Sequence, residues 1–148
     1  WNFLISSRLF SASSIIFFIL IDHNFIMEKS LFGGNDEFNS TKYCFSFKWG
    51  SDGIGDGQFL CPHDVNFDSK GKVYVTDRDR NDIQMFTQNG TFITKWGSEG
   101  EKPGEFKIPY SLEIDCSDNL FVVDRGNDRI QKFNENGTLY SSGTDLKK

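Results

Sequence analysis

The sequence predicts an all-β chain assembled from one four-stranded unit copied in register, and three observations carry that reading. Eighteen of the 44 positions between residues 48 and 91 recur unchanged 47 residues later, without a gap. Lys48-Trp49-Gly50-Ser51 returns as Lys95-Trp96-Gly97-Ser98, Phe59-x-x-Pro62 as Phe106-x-x-Pro109, and Val75-x-Asp77-Arg78 as Val122-x-Asp124-Arg125. Ile83-Gln84-x-Phe86 returns as Ile130-Gln131-x-Phe133, and Asn89-Gly90-Thr91 as Asn136-Gly137-Thr138. Within each copy, short β-branched and aromatic runs are separated by turn residues. No segment sustains the 3.6-residue spacing of an amphipathic helix.

In chain order, Val65 and Phe67, like Leu112 and Ile114, alternate with polar residues as in a strand with two unlike faces. Ser69-Lys70-Gly71-Lys72 and Cys116-Ser117-Asp118-Asn119 supply a turn. The runs Val73-Tyr74-Val75 and Leu120-Phe121-Val122-Val123 are too short for helices and end at Asp77 or Asp124. Ile83 to Phe86 and Ile130 to Phe133 form the third strand, and Asn-Gly marks a hairpin whose two central residues both take positive φ. Thr91 to Trp96 is the fourth strand. Four short antiparallel strands in each period of about 40 to 50 residues describe a β-propeller blade. The Gly-rich stretches from Gly50 to Gly57 and from Gly97 to Gly104 then link one blade to the next.

The chain divides accordingly into a segment over residues 1–41, the outer strand of a preceding blade (42–50), two blades (51–97 and 98–143) and a tail (144–148). In the first segment Arg8 precedes a charge-free run, residues 9–21, of the length of a signal-peptide core and too short to span a bilayer as a helix. An export signal or anchor, an apolar piece of a longer parent, and translated non-coding sequence upstream of Met27 are the readings it leaves. Secretion or membrane attachment follows only from the first, through residues 9–21; otherwise the chain is cytoplasmic.

The order Phe-x-x-Pro, hydrophobic-Val-x-Asp-Arg, Ile-Gln-x-Phe, Asn-Gly, Trp-Gly resembles the NHL repeat, the blade unit of six-bladed propellers, from about residue 47 to residue 140. The resemblance implies an incomplete propeller, because six blades at this period need about 280 residues and the chain has 148. The remaining blades come from a longer parent chain or from other copies. The ends lack capping character, which favours the fragment. Two isolated blades would leave an apolar flank and open strand edges exposed.

Bulk charge narrows the function classes. Asp and Glu (21) outnumber Lys and Arg (16), for a net charge of -5, and the summed field opposes nucleic acid and anionic lipid. Three cysteines, Cys44, Cys61 and Cys116, show neither a C-x-x-C spacing nor an even count, and read as small, at least half-buried side chains. No nucleophile elbow, phosphate-binding glycine loop or H-E-x-x-H is present.

The candidate ligand-face residues are His63, Asp77, Arg78, Arg80, Tyr110, Asp124 and Arg125, at strand ends where blade loops gather. Asp77 and Asp124 have a structural alternative, capping the turn after the second strand and pairing with arginine. The second copy has Arg129 at the family's Arg-Ile position, where the first has Asp82 with Arg80 nearby. His63 aligns with Tyr110. Pro62-His63-Asp64-Val65 resembles the peptidyl-α-hydroxyglycine α-amidating lyases, zinc enzymes on a related propeller, which implies His63 as a metal ligand. Catalytic zinc needs three converging ligands, and the second histidine, His23, lies outside the repeats. Asp52, Asp56, Asp64, Glu99, Glu101 and Glu105 offer calcium-type oxygens on the links, without EF-hand spacing. No cofactor is demanded; zinc and calcium are the ions the residues allow. Asn39-Ser40-Thr41 matches the N-glycosylation pattern.

The leading expectation is a non-catalytic binding module whose loop face meets a protein, peptide or small ligand. The rivals are a fragment of an amidating-lyase-like zinc enzyme and the RNA- or protein-binding propeller of a tripartite-motif-type ubiquitin ligase.

Overall fold

The computed structural model of the chain describes residues 5–9, 15–22, 25–32 and 43–143, with side chains from 48 to 140. Three four-stranded sheets succeed one another. The first joins β1 (Ile5–Leu9), β2 (Ile15–Asp22), β3 (Phe25–Phe32) and β4 (Tyr43–Trp49) in chain order. The second joins β5 (Pro62–Phe67), β6 (Val73–Asp77), β7 (Asp82–Phe86) and β8 (Phe92–Trp96). The third joins β9 (Pro109–Ile114), β10 (Leu120–Asp124), β11 (Arg129–Phe133) and β12 (Leu139–Gly143). Every neighbouring pair is antiparallel.

Part of the apolar run at residues 9–21 falls in β2, while residues 10–14 and the Asn39-Ser40-Thr41 sequon lie outside the described residues. No helix among the described residues is long and apolar enough to cross a membrane.

The two repeat sheets have the same sequence pattern and different burial. All five residues of β6 and all five of β7 are buried. Their counterparts β10 and β11 alternate instead. The difference follows from neighbours. One face of the β5–β8 sheet carries Val65, Phe67, Val75 and Phe86, a core against which Trp49 and Phe92 pack. Its other face carries Tyr74, Ile83 and Met85, which join Phe106, Leu112, Ile114, Leu120, Val122 and Phe133 in a second core shared with the β9–β12 sheet. Two-faced alternation, kept by β10 and β11, gives way in β6 and β7 to complete burial because their sheet is covered on both sides. Each side chain so buried contributes about 1.5–3 kcal/mol.

Polar contacts fix the offset of the two sheets. The Asp64 carboxylate accepts from Ser111 Oγ (2.7 Å) and from the Leu112 amide (2.9 Å). Asn81 Oδ1 accepts from the Ile108 amide at 2.9 Å. At the far end Asp118 accepts from the Ser69 amide (2.8 Å) and hydroxyl (2.7 Å), and Lys70 pairs with Glu135.

The hairpins depart from the sequence expectation. In each, only the glycine takes positive φ, 77° at Gly90 and 78° at Gly137, and Asn89 and Asn136 do not. The Gly90 amide donates to Thr87 O (2.9 Å) and the Thr87 amide to Thr91 O (2.8 Å), which makes a tight turn over Gln88-Asn89 followed by a glycine bulge. A tryptophan from the preceding outer strand covers that glycine: a Cβ on Gly90 would lie 2.7 Å from the Trp49 ring, and one on Gly137 2.6 Å from Trp96. The turn is thus also an inter-sheet contact. Cys116 sits in the β9–β10 turn and is exposed, contrary to the expectation of burial, because that turn faces solvent; Cys61 is half-buried and both thiols are free.

Gly90→Ala combines a left-handed backbone with a clash against Trp49 and is expected to cost about 2–3 kcal/mol in urea denaturation. Gly104→Ala, with φ 86° and nothing within 4 Å of its Cβ, is expected to cost only about 1 kcal/mol.

Candidate functional site

The candidate residues separate into buried struts and an exposed group. Asp77 is fully buried. Its carboxylate accepts from the amides of Leu60 (2.8 Å), Cys61 (3.0 Å), Asp79 (3.2 Å) and Arg80 (3.2 Å). Asp124, also fully buried, accepts from the Lys107 amide (2.7 Å), Asn127 Nδ2 (2.9 Å) and Arg129 Nε (2.8 Å). These acids tie each blade's link to the turn after its second strand.

Arg80 and Arg129 do one job from two sequence positions. Arg80 donates to the carbonyls of Gly55 (2.8 Å) and Gln58 (2.9 Å). Arg129 donates to those of Lys102 (2.8 Å) and Glu105 (2.6 Å), which are the aligned positions, and to Glu101 O (2.6 Å). The acid partner moves with the arginine, so that Arg80 pairs with Asp82 at 2.9 Å and Arg129 with Asp124 at 2.8 Å.

A third pair of struts escaped the sequence reading. Gln84 and Gln131 are fully buried. Gln84 accepts from the Gly57 amide (3.0 Å) and donates to Gln58 O (2.7 Å), and Gln131 repeats this with Gly104 (2.8 Å) and Glu105 (2.7 Å). The signal was present, because a glutamine repeated within an apolar strand implies buried backbone partners. Together with Phe59 and Phe106, both at 0% exposure, these residues fasten the Gly-rich links to the sheets.

His63, Tyr110, Arg125 and Arg78 remain on the surface at the strand ends. His63 and Tyr110, aligned in sequence, meet across the two sheets with ring centroids 3.8 Å apart at 41°. His63 Nδ1 lies 2.7 Å from Tyr110 O. A carbonyl only accepts, so Nδ1 carries hydrogen and the neutral ring presents Nε2 as an acceptor. The Arg125 guanidinium lies over the Tyr110 ring, 5.3 Å from its centroid. Arg78, its aligned partner, pairs with Asp79 at 2.7 Å. Gly126 replaces Asp79 in the second copy, where a Cβ would come within 2.5 Å of Lys107 O. Arg125 consequently has no ion pair among the described residues, and Tyr110 is 40% exposed beside it.

The metal expectations find different geometry. Among the described residues the group able to hold a cation is Asp68, Asp118 and Glu135, without His63. Its oxygens are engaged: Asp68 accepts from the amides of Lys70 (2.9 Å) and Lys72 (2.9 Å) and from Tyr74 OH (3.1 Å), and Lys70 neutralises Glu135. Burial and the Asp68 charge push the Tyr74 hydroxyl well above its ordinary range, so it stays a donor. Of the acidic link residues, Asp64 is committed to Ser111 and Leu112, and Asp56 pairs with Lys95 at 2.8 Å.

Arg80→Ala is expected to cost about 3 kcal/mol, since it leaves Asp82 buried without its cation and takes one of two donors from each of the Gly55 and Gln58 carbonyls. Arg80→Asn with Asp82→Arg, which writes the second copy's residues into the first, is expected to recover all but about 1 kcal/mol. Burial raises the Asp82 carboxyl above its usual value despite Arg80, and Asp82 Oδ1 finds no donor among the described residues. A native carboxyl that holds its proton more tightly than the unfolded one binds protons in favour of the folded state. Stability then falls as pH rises from the ordinary carboxylate value through the raised one. Asp82→Asn should remove that fall, seen as a wild-type minus variant difference in urea midpoint that changes across about pH 3 to 7.

Protein lin-41 of Caenorhabditis elegans is 39% identical over 46 residues, which is 31% of this chain and 4% of that protein. A catalytically inactive virginiamycin B lyase from Staphylococcus aureus, solved with quinupristin, superposes with a TM-score of 0.53 at 14% identity. The match covers 99% of this chain and 47% of the lyase, so the chain spans about half the length of that propeller. A streptogramin B lyase structure gives 0.49 at 19% identity, over 94% of this chain and 44% of its own. At 14% identity the likeness to the Staphylococcus aureus lyase shows the fold alone. The repeats are NHL-type propeller blades, and over residues 42–147 the sequence matches the family described as a 6-bladed beta-propeller, to which this chain belongs.

Proposed function

We propose that the chain is a binding module and that the surface group of half-buried His63 with exposed Tyr110 and Arg125 receives an anionic group of a protein or peptide ligand. Arg125, which lies over Tyr110 without an ion pair among the described residues, carries this reading. In the first copy the same arginine is neutralised by Asp79, and in the second copy that acid is a glycine. A guanidinium held over a tyrosine face is pre-oriented, and its five donors match a carboxylate in two-point geometry. His63 adds the ring nitrogen Nε2 as an acceptor beside it. The buried acids, arginines and glutamines behind this group make its backbone rigid, which lowers the ordering cost of binding.

Binding of an Asp/Glu-rich peptide, followed by fluorescence anisotropy, is expected to weaken about tenfold in Arg125→Ala and to fall with added salt. Arg78→Ala, which removes an arginine already paired, should change affinity by less than about twofold. Equal losses in the two variants would count against the reading. So would tighter binding of a single-stranded RNA oligonucleotide than of the peptide.

A further inference from the structure

At the strand ends the two copies differ in a way that changes charge at two positions together. Leu60 and Asp79 of the first copy are Lys107 and Gly126 in the second, while the arginine before Asp79 or Gly126 is kept. Arg78 is neutralised by Asp79 at 2.7 Å. No acid fits the corresponding place after Arg125, because a Cβ on Gly126 would lie 2.5 Å from Lys107 O and 2.6 Å from Lys107 Cγ. The lysine stem runs through the space a carboxylate would need. A hydrogen bond from the Gly126 amide to Lys107 O, 2.6 Å long, holds the two segments together. The first copy therefore ends in an ion pair and the second in two cations. Lys107 and Arg125 are both exposed, and neither has an ion pair among the described residues, with Asp128 or any other acid. Asp124, next to Arg125 in the chain, is fully buried and committed to the Lys107 amide, Asn127 and Arg129.

We propose, resting on the reading of His63, Tyr110 and Arg125 as the ligand site, that Lys107 and Arg125 together select a phosphomonoester on a side chain of the protein or peptide ligand over a carboxylate. A phosphomonoester carries a charge of about -1.5 to -2 at neutral pH and three acceptor oxygens. A carboxylate compensates one of the two cations and leaves the other without a partner. A phosphate gives two oxygens to the guanidinium fork and a third to the ammonium. The fork is already oriented by the Tyr110 ring beneath it, 5.3 Å from guanidinium carbon to centroid. The Tyr110 hydroxyl, on a side chain 40% exposed, adds a neutral donor. Charge elsewhere on the chain decides against a nucleic-acid backbone, since a net charge of -5 opposes a polymer with a phosphate at every nucleotide. A single dianion engages the local pair alone.

The Asp/Glu-rich peptide is compared by fluorescence anisotropy with the same peptide carrying phosphoserine in place of one glutamate. The phosphoserine peptide is expected to bind about fivefold tighter. Lys107→Leu, which writes the first copy's residue into the second, should abolish that advantage and change binding of the glutamate peptide by less than about twofold. Arg125→Ala should weaken both peptides. Equal binding of the two peptides, or an advantage that survives Lys107→Leu, would overturn the phosphate inference and leave the anion site standing. Binding of neither peptide would overturn the anion site and this inference with it. Tighter binding of a single-stranded RNA oligonucleotide than of the phosphoserine peptide would overturn it in favour of nucleic acid.

Discussion

Tyr74, Ile83 and Met85 reach across from the β5–β8 sheet into the cluster formed by Phe106, Leu112, Leu120, Val122 and Phe133, and this sheet-on-sheet contact is what the remaining structure depends on. A lone four-stranded sheet of this composition would have two apolar faces and no means to bury both. Stacking solves the problem for the covered sheet, and the polar staples Asp64 to Ser111 and Asn81 to Ile108 decide the offset at which it is solved. Trp49 and Trp96, seated over the bulge glycines of the next unit, extend the same contact to the hairpin ends. Strand pattern, turn type and link geometry are consequences of keeping that interface dry.

The second consequence is a division of labour among polar residues. Buried acids, arginines and glutamines satisfy the backbone of the Gly-rich links, which would otherwise leave unpaired amides and carbonyls beside an apolar core. Because they do so in both copies, they are architecture. Chemistry is free to vary only where copies differ without harm to the interface. The His63 and Tyr110 pair and the exchange of Asp79 for Gly126 are such places, and both lie on the exposed strand ends.

The strand order and boundaries of the β5–β8 and β9–β12 sheets were legible because a repeat shows the same pattern twice, so a residue that recurs at an apolar strand position identifies itself as core; β1, β2 and β3 lie outside the repeat and were not legible as strands. Other features were not legible, each for a physical reason. Complete burial of β6 and β7 depends on neighbouring sheets, and a local pattern cannot count neighbours. The turn at Asn89-Gly90 took a glycine bulge in place of a turn with two positive φ values, because the loop between the bonded Thr87 and Thr91 holds three residues and the latter turn serves a loop of two. The contact of His63 with Tyr110 joins aligned positions of successive units, and alignment reports such positions as equivalent without reporting that they touch. The interchange of Arg80 and Arg129 was visible as a substitution, yet the shared carbonyl targets appear only in three dimensions.

Native-state hydrogen exchange on the full chain tests the primacy of the stacked interface most directly. If burial on both faces is what stabilises the middle sheet, amides of β6 and β7 exchange only with global unfolding. Those of β10 and β11, hydrogen-bonded alike but covered on one face, should then exchange through a partial opening at least about 1 kcal/mol lower in free energy. Equal protection of the four strands, or faster exchange in β6 and β7 than in β10 and β11, would contradict the account.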